Sequence, residues 1–375
     1  MNFRDILIHC FILSIAIPSL SNSPIPNADS FPISCSEHIR YTLADVHSEC
    51  VYSKADSILQ ILTDRERIGQ MIVVAYGRFG YSSERILGLI QHRRIGGILM
   101  LSGYKSEFKN QIEVFNISNI GIPILYSADA EPSLINTKIK GTSAIIKTNQ
   151  IKDSNTCRYV ASSINQELRE IGIQHNFAPI IDFSSNKKII GNRSFGLSHS
   201  NIVTLSEHFI SQSNTDNILT TLKHFPGHGM VLGDSHKEEV YINGDMKELM
   251  NFKSLANNCH SIMMGHIVLK NNDYSFNNYP ASCNRNLITQ LLRNEWQYQG
   301  LIVTDAMNMA AAQKVKNAEL EAIKAGVDML LMPSNVESTI EKIYDLYSSD
   351  LSFRYQIDES VKRILRYKIC LGLIL

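Results

Sequence analysis

Eight short apolar runs punctuate the chain: Gly69–Ala75, Gly96–Leu101, Ile122–Ser127, His175–Ile181, Ile218–Leu222, Ser261–Gly265, Gly300–Thr304 and Val327–Met332. None alternates strictly between apolar and polar positions, which is the pattern of strands buried on both faces in a parallel sheet. The segments between them carry apolar residues at helical spacing, as in Ser83–Ile90 and Arg158–Leu168. Eight strands alternating with helices predict an α/β fold, a (β/α)8 TIM barrel in a single catalytic domain over residues 53–375. A doubly wound open sheet is the rival, and the lack of a glycine-rich phosphate fingerprint after the first strand weighs against it.

The N-terminus departs from this rhythm. The apolar run Ile6–Ile17 falls short of the roughly 20 residues that cross a bilayer, and small residues follow at Ser19 and Ser21. Residues 1–23 are therefore expected to be a secretory signal peptide, which makes the protein exported, periplasmic or extracellular. Asp5 offsets Arg4, so an uncleaved signal anchor or a cytoplasmic location is the alternative. Residues 24–52 read as an irregular N-terminal leader. Of the seven cysteines, Cys35 and Cys50 are placed to pair in an oxidising compartment, while the others lack zinc-site spacing and read as scattered buried thiols.

Composition narrows the chemistry by exclusion. With 44% hydrophobic and 19% charged residues the chain is neither disordered nor fibrous. Lys+Arg and Asp+Glu are equal at 36 each, so no net field draws it to nucleic acid or to an anionic membrane surface. One local excess stands out: three of the 12 histidines fall between positions 224 and 236.

A barrel of this type carries its functional groups just beyond the C-terminal ends of its strands. Asp129 and Glu131 follow the third run, Asp182 and Arg193 the fourth, Lys223 and His224 close the fifth, His266 the sixth and Asp305 the seventh. The densest stretch is Lys223–His236. Its His224-x3-His228 spacing invites a metal site, but Pro226 and Gly227 break the helix that such a pair needs, so no metal is expected. Asp234-Ser235-His236 reads instead as a carboxylate that can fix and polarise an imidazole for proton transfer. Glycines 227, 229 and 233 allow the loop to move over a ligand. Asp305 has two readings, a nucleophilic carboxylate at the barrel mouth or the cap of a following helix.

These segments together resemble the β-N-acetylglucosaminidase (β-N-acetylhexosaminidase) branch of glycoside hydrolase family three. The likeness begins at Leu62–Met71, includes Asn176–Asp182, Ile190–Gly196, Lys223–Gly229 and Gly300–Asp305, and runs to about Pro333. The resemblance implies a retaining enzyme that releases terminal β-linked N-acetylglucosamine, typically from peptidoglycan fragments, without cofactor or metal. It implies Asp305 as nucleophile, His236 as acid/base and Asp234 as its polarising partner. Asp129, Arg193, Lys223 and His224 match residues that hold the sugar. The only partner it implies is a carbohydrate substrate. After Asp129-Ala130-Glu131 the chain departs from the family: Thr137 stands where a sugar-binding arginine is expected, with Lys138 and Lys140 as the nearby cations. A phosphorylase is the second expectation, because a deprotonated histidine does not repel phosphate as acceptor. A weakly active sugar-binding relative is the third.

Overall fold

The computed structural model describes residues 40–231, 235 and 238–375. Eight parallel strands make up the barrel: β1 (Ile72–Gly77), β2 (Gly97–Tyr104), β3 (Leu125–Ala128), β4 (His175–Asn176), β5 (Leu219–Thr220, continued as Leu222–Phe225), β6 (Ser261–Met264), β7 (Leu301–Thr304) and β8 (Leu330–Leu331). Each pairs with its sequence neighbour from β1–β2 round to β6–β7. The ring closes through β8, where Val303 bridges to Met329 and Ile72 pairs with Leu330. This is the (β/α)8 barrel that the apolar runs predict. Strands β3, β6 and β7 are buried along their whole length, which is why their sequences show no polar alternation.

The boundaries differ from the pattern where local chemistry intervenes. Of the run His175–Ile181 only His175 and Asn176 join the ladder, since Pro179 has no N–H to donate; Ile180 regains contact as a single bridge to Lys223. The first strand starts later than Gly69. Thr63 and Glu66 form a capping box that opens a helix over Asp64–Gln70, so Gly69 and Gln70 belong to that helix. The expected irregular leader, 24–52, is corrected at its C-terminal end. Leu43–Asp45 form a 3-10 turn with Leu43 buried, and Ser48 caps a helix, Glu49–Ile61, that packs on the last helix, Leu351–Cys370. The expected signal peptide, 1–23, and Cys35 lie outside the described residues. Cys50 is disulfide-bonded, whereas Cys157, Cys259, Cys283 and Cys370 are free and buried. Among the described residues no helix is long and apolar enough to cross a membrane.

The two ends of the barrel are built for different tasks. At the N-terminal end, the buried Lys368 donates from Nζ to Gln70 Oε1 (2.7 Å), Gly96 O (2.8 Å) and Pro123 O (2.7 Å), tying the last helix to the segments that enter the first three strands. All three donors of the ammonium are used, so this end is a structural plug. The C-terminal end carries the long connections and the charged groups.

Candidate active site

Beyond β4 the buried Asp182 organises the mouth of the barrel. Its carboxylate accepts from the backbone N–H of His224 (3.0 Å), from His224 Nδ1 (2.7 Å) and from the backbone N–H of His228 (2.8 Å). Burial alone would raise its pKa, but His224 and the His228 N–H prevail and hold it below the usual carboxylate range. The Nδ1–H of His224 is thereby committed to Asp182, which fixes the tautomer and leaves Nε2 as the free ring nitrogen.

On the neighbouring side Lys223, almost fully buried at the end of β5, donates from Nζ to Asp129 Oδ1 at 2.9 Å. Burial opposes the charge on Asp129, yet Lys223, Lys138 and Arg193 outweigh it and pull the pKa down to about 2. Arg193 binds the fully buried Glu131 through Nε (2.8 Å) and Nη2 (2.7 Å), and donates from Nη1 to Ile189 O (3.0 Å). Burial would lower the guanidinium pKa, but Glu131 and Asp129 hold it above the ordinary value. Glu131 Oε2 is buried without a hydrogen-bond partner.

Across the mouth, Asp305 leaves β7. Its backbone N–H donates to Met264 O (2.9 Å), and its Oδ1 accepts from the Ala306 N–H (2.8 Å). The cap reading of Asp305 is settled by the next helix, Ala310–Gln313, whose N-cap is Met309. His266, buried at the end of β6, accepts at Nδ1 from Ser282 Oγ (2.8 Å) and donates from Nε2 to Ala306 O (3.0 Å), so it braces the turn that carries Asp305.

Asp129, Arg193, Lys223, His224 and Asp305 line one cleft of about 310 Å³. Lys138 lines it too. Thr137 is exposed and turns its hydroxyl back onto Leu134 O (2.8 Å), while Lys140 is exposed with its ammonium over the Tyr104 ring. Of the two cations near the departed arginine, Lys138 is thus the one at the cleft. Asp234 and His236 lie outside the described residues. Ser235, between them in sequence, is buried at the cleft with its hydroxyl 3.0 Å from His228 Nε2. His228 itself has its pKa lowered by burial and by the charge of His224. Among the described residues no cluster of three or more His, Cys, Asp or Glu is arranged to hold a metal ion.

Sequence reasoning missed Glu248. It stands just before the helix Leu249–Leu255, buried, and accepts from three backbone N–H groups: Phe183 (2.5 Å), Gly229 (3.2 Å) and Met230 (3.1 Å). Burial and the nearby charge of Asp182 push its pKa up to about 8, against the pull of those donors. A lone Glu before Leu-Met-Asn-Phe carries no spacing that would have revealed this role. The available signals were Gly227, where an added Cβ would lie 2.5 Å from Glu248 Cβ, and Gly229, where it would lie 2.0 Å from Phe183 O and 2.6 Å from Glu248 Oε1.

The Glycosyl hydrolase family 3 N terminal domain matches residues 63–367. Beta-hexosaminidase A of Pseudoalteromonas piscicida is 28% identical over 326 residues, covering 75% of this chain and 54% of that protein. The Beta-hexosaminidase of Haemophilus ducreyi is 33% identical over 190 residues, covering 48% of this chain and 54% of that protein. This chain thus spans about half the length of both relatives. A solved glycoside hydrolase family 3 beta-N-acetylglucosaminidase from Paenibacillus sp. superposes with a TM-score of 0.77 at 25% identity, covering 83% of this chain and 63% of that one. A parallel barrel whose strand ends converge on Asp305, Lys223 and His224, matched over that span, belongs to glycosyl hydrolase family 3.

Proposed function

We propose that the protein is an exported, retaining, exo-acting β-N-acetylhexosaminidase that releases terminal β-linked N-acetylglucosamine, with peptidoglycan fragments as the source of substrate. The observation that carries this reading is the shared cleft: the Asp305 carboxylate faces a wall of groups fixed by hydrogen bonds, Asp129, Lys223 and His224. Such a wall suits a ring of hydroxyls, because each group has one hydrogen-bonding face committed and another left for the sugar. The names of the two hexosaminidase relatives favour an N-acetylated sugar over a plain glucoside.

The chemistry runs in two steps. The Asp305 carboxylate attacks the anomeric carbon while protonated His236 gives its proton to the departing glycosidic oxygen, so that the leaving group exits as an alcohol. The neutral imidazole then takes a proton from water, whose oxygen attacks the same carbon and releases Asp305 as a carboxylate. Asp234 polarises His236 throughout, and His266 keeps the Asp305 turn in place. No step calls for a metal ion.

The test is hydrolysis of chromogenic β-N-acetylglucosaminide and β-glucoside, with and without phosphate, by wild type, Asp305→Asn and His236→Ala. The expected outcome is preference for the acetylated substrate, free sugar as product at any phosphate level, and loss of turnover in Asp305→Asn with the fold intact. Wild-type rates in Asp305→Asn overturn the mechanism. A sugar phosphate as the product replaces the hydrolase with a phosphorylase.

A further inference from the structure

His224 is bound to Asp182 and His236 is assigned the proton transfer, but neither step above uses His228. Its ring is buried, lines the cleft and meets the His224 ring edge-on, with 5.9 Å between centroids. Its backbone N–H donates to Asp182 Oδ1 at 2.8 Å, so it is carried by the same buried carboxylate that fixes His224. Its Nε2 lies 3.0 Å from the hydroxyl of Ser235.

Asn186 decides which way that bond runs. The orientation of its amide is set by two other partners: Oδ1 accepts from the Ile189 N–H (3.2 Å) and Nδ2 donates to Val231 O (2.9 Å). The same Nδ2, which can only donate, faces His228 Nδ1 at 3.5 Å, and Nδ1 is therefore the unprotonated nitrogen of the ring. Burial and the charge of His224 lower the pKa of His228, so near neutral pH its single proton is on Nε2 and is donated to Ser235 Oγ. The support is rigid as well, because the Asn186 backbone N–H donates to Gly229 O at 2.6 Å.

Ser235 is buried at the cleft, and a buried hydroxyl needs a partner of this kind to offset the loss of water. Asp234 and His236 are joined to it on either side. Successive Cα atoms are only about 3.8 Å apart, so a bond that fixes Ser235 limits where both of its neighbours can stand. The stretch has something to restrain, since Gly229 and Gly233 give its backbone more freedom than other residues would. We propose that the hydrogen bond from His228 Nε2 to Ser235 Oγ is the catch that sets Asp234 and His236 at the cleft, which makes His228 a positioning residue for proton transfer. This inference rests on the glycosidase reading above.

The experiment measures kcat/KM on a series of aryl β-N-acetylglucosaminides whose phenols differ in acidity, for wild type, His228→Leu, His228→Gln, Ser235→Ala and the double variant His228→Leu/Ser235→Ala. His228→Leu is expected to lose roughly tenfold on the least acidic phenol and less than threefold on 2,4-dinitrophenol, a steeper dependence on the leaving group than in wild type. Ser235→Ala, which removes only a hydroxyl, carries the same expectation and decides the matter where His228→Leu does not fold. His228→Gln, whose amide donates where the imidazole did, is expected to recover most of the loss. The double variant is expected to lose no more than either single one, because both remove the same bond. Parallel losses on every phenol, or additive losses in the double variant, overturn the positioning role. Trypsin cleavage after Lys237 reads the catch without turnover: His228→Leu and Ser235→Ala are expected to be cut there several-fold faster than wild type, and an unchanged rate overturns the catch. A wild type that cleaves none of the aryl glycosides overturns the glycosidase reading and the role in proton transfer with it, and the cut at Lys237 then decides whether the catch exists.

Discussion

Removing the Glu248 carboxylate is expected to uncouple the histidine loop from the barrel. Its two oxygens join the exit of β4, through Phe183, to the loop after β5, through Gly229 and Met230. With its pKa pushed up to about 8 the Glu248 carboxyl is largely neutral near pH 7, and its removal leaves each buried donor unpaired at about 1–3 kcal/mol, less where water can take over. Gly229 is buried, Phe183 half-buried and Met230 exposed, so the sum for Glu248→Ala is about 3 kcal/mol. Gly229 has no slack to compensate, because Phe183 O and Glu248 Oε1 already crowd its Cα. Denaturant unfolding of wild type and Glu248→Ala measures this loss. The functional consequence is more specific. Residues 232–237, among them Asp234 and His236, follow Met230 and Val231 in sequence. If Glu248 positions the acid/base, Glu248→Ala loses more on a poor leaving group that needs a proton, such as a methyl β-N-acetylglucosaminide, than on 2,4-dinitrophenyl β-N-acetylglucosaminide, which needs none. A roughly tenfold or larger gap between the two losses is expected, about 1.4 kcal/mol of proton-transfer assistance. Equal loss on both substrates refutes the positioning role and leaves Glu248 a purely structural residue.

Two further outcomes follow from the charged wall of the cleft. Asp129 has a folded pKa of about 2 against an ordinary 3.8, so the stability it contributes is present above pH 4 and is lost as pH falls through 2. The difference is about 2 kcal/mol, and Asp129→Asn is expected to unfold with a flatter acid limb over that window; an unchanged limb refutes the pairing with Lys223 and Lys138. Lys138→Met is expected to raise KM several-fold with little change in kcat, whereas Thr137→Arg, placed on an exposed side chain that faces Leu134 O, is expected to change KM less than twofold; the reverse order shows that the cleft takes its cation from position 137.

The barrel was legible because its strands are buried on both faces, and uninterrupted apolar runs such as Ser261–Gly265 and Gly300–Thr304 have few other uses in a chain of this length. The reading failed at strand ends, where a single atom decides: the missing N–H of Pro179 cuts β4 to two residues, and the Glu66 carboxylate turns Gly69 and Gln70 into the end of a helix. The same division runs through the site. Asp305, Lys223, His224, Asp129 and Arg193 could be named because each closes or follows a strand, and strand order carries them to one mouth. What could not be read was which charge belongs to which. Arg193, expected at the sugar, spends three of its N–H groups on Glu131 and Ile189, and Asp182, left without a role, holds His224 and His228 together. Pairings such as Lys223–Asp129 and His224–Asp182 span 94 and 42 positions of sequence, between loops whose lengths leave no periodic trace. Sequence order therefore identifies the groups that share the cleft, while the groups that hold those in place, Asp182, Glu248 and His266, emerge only once the backbone brings their N–H and C=O partners within reach.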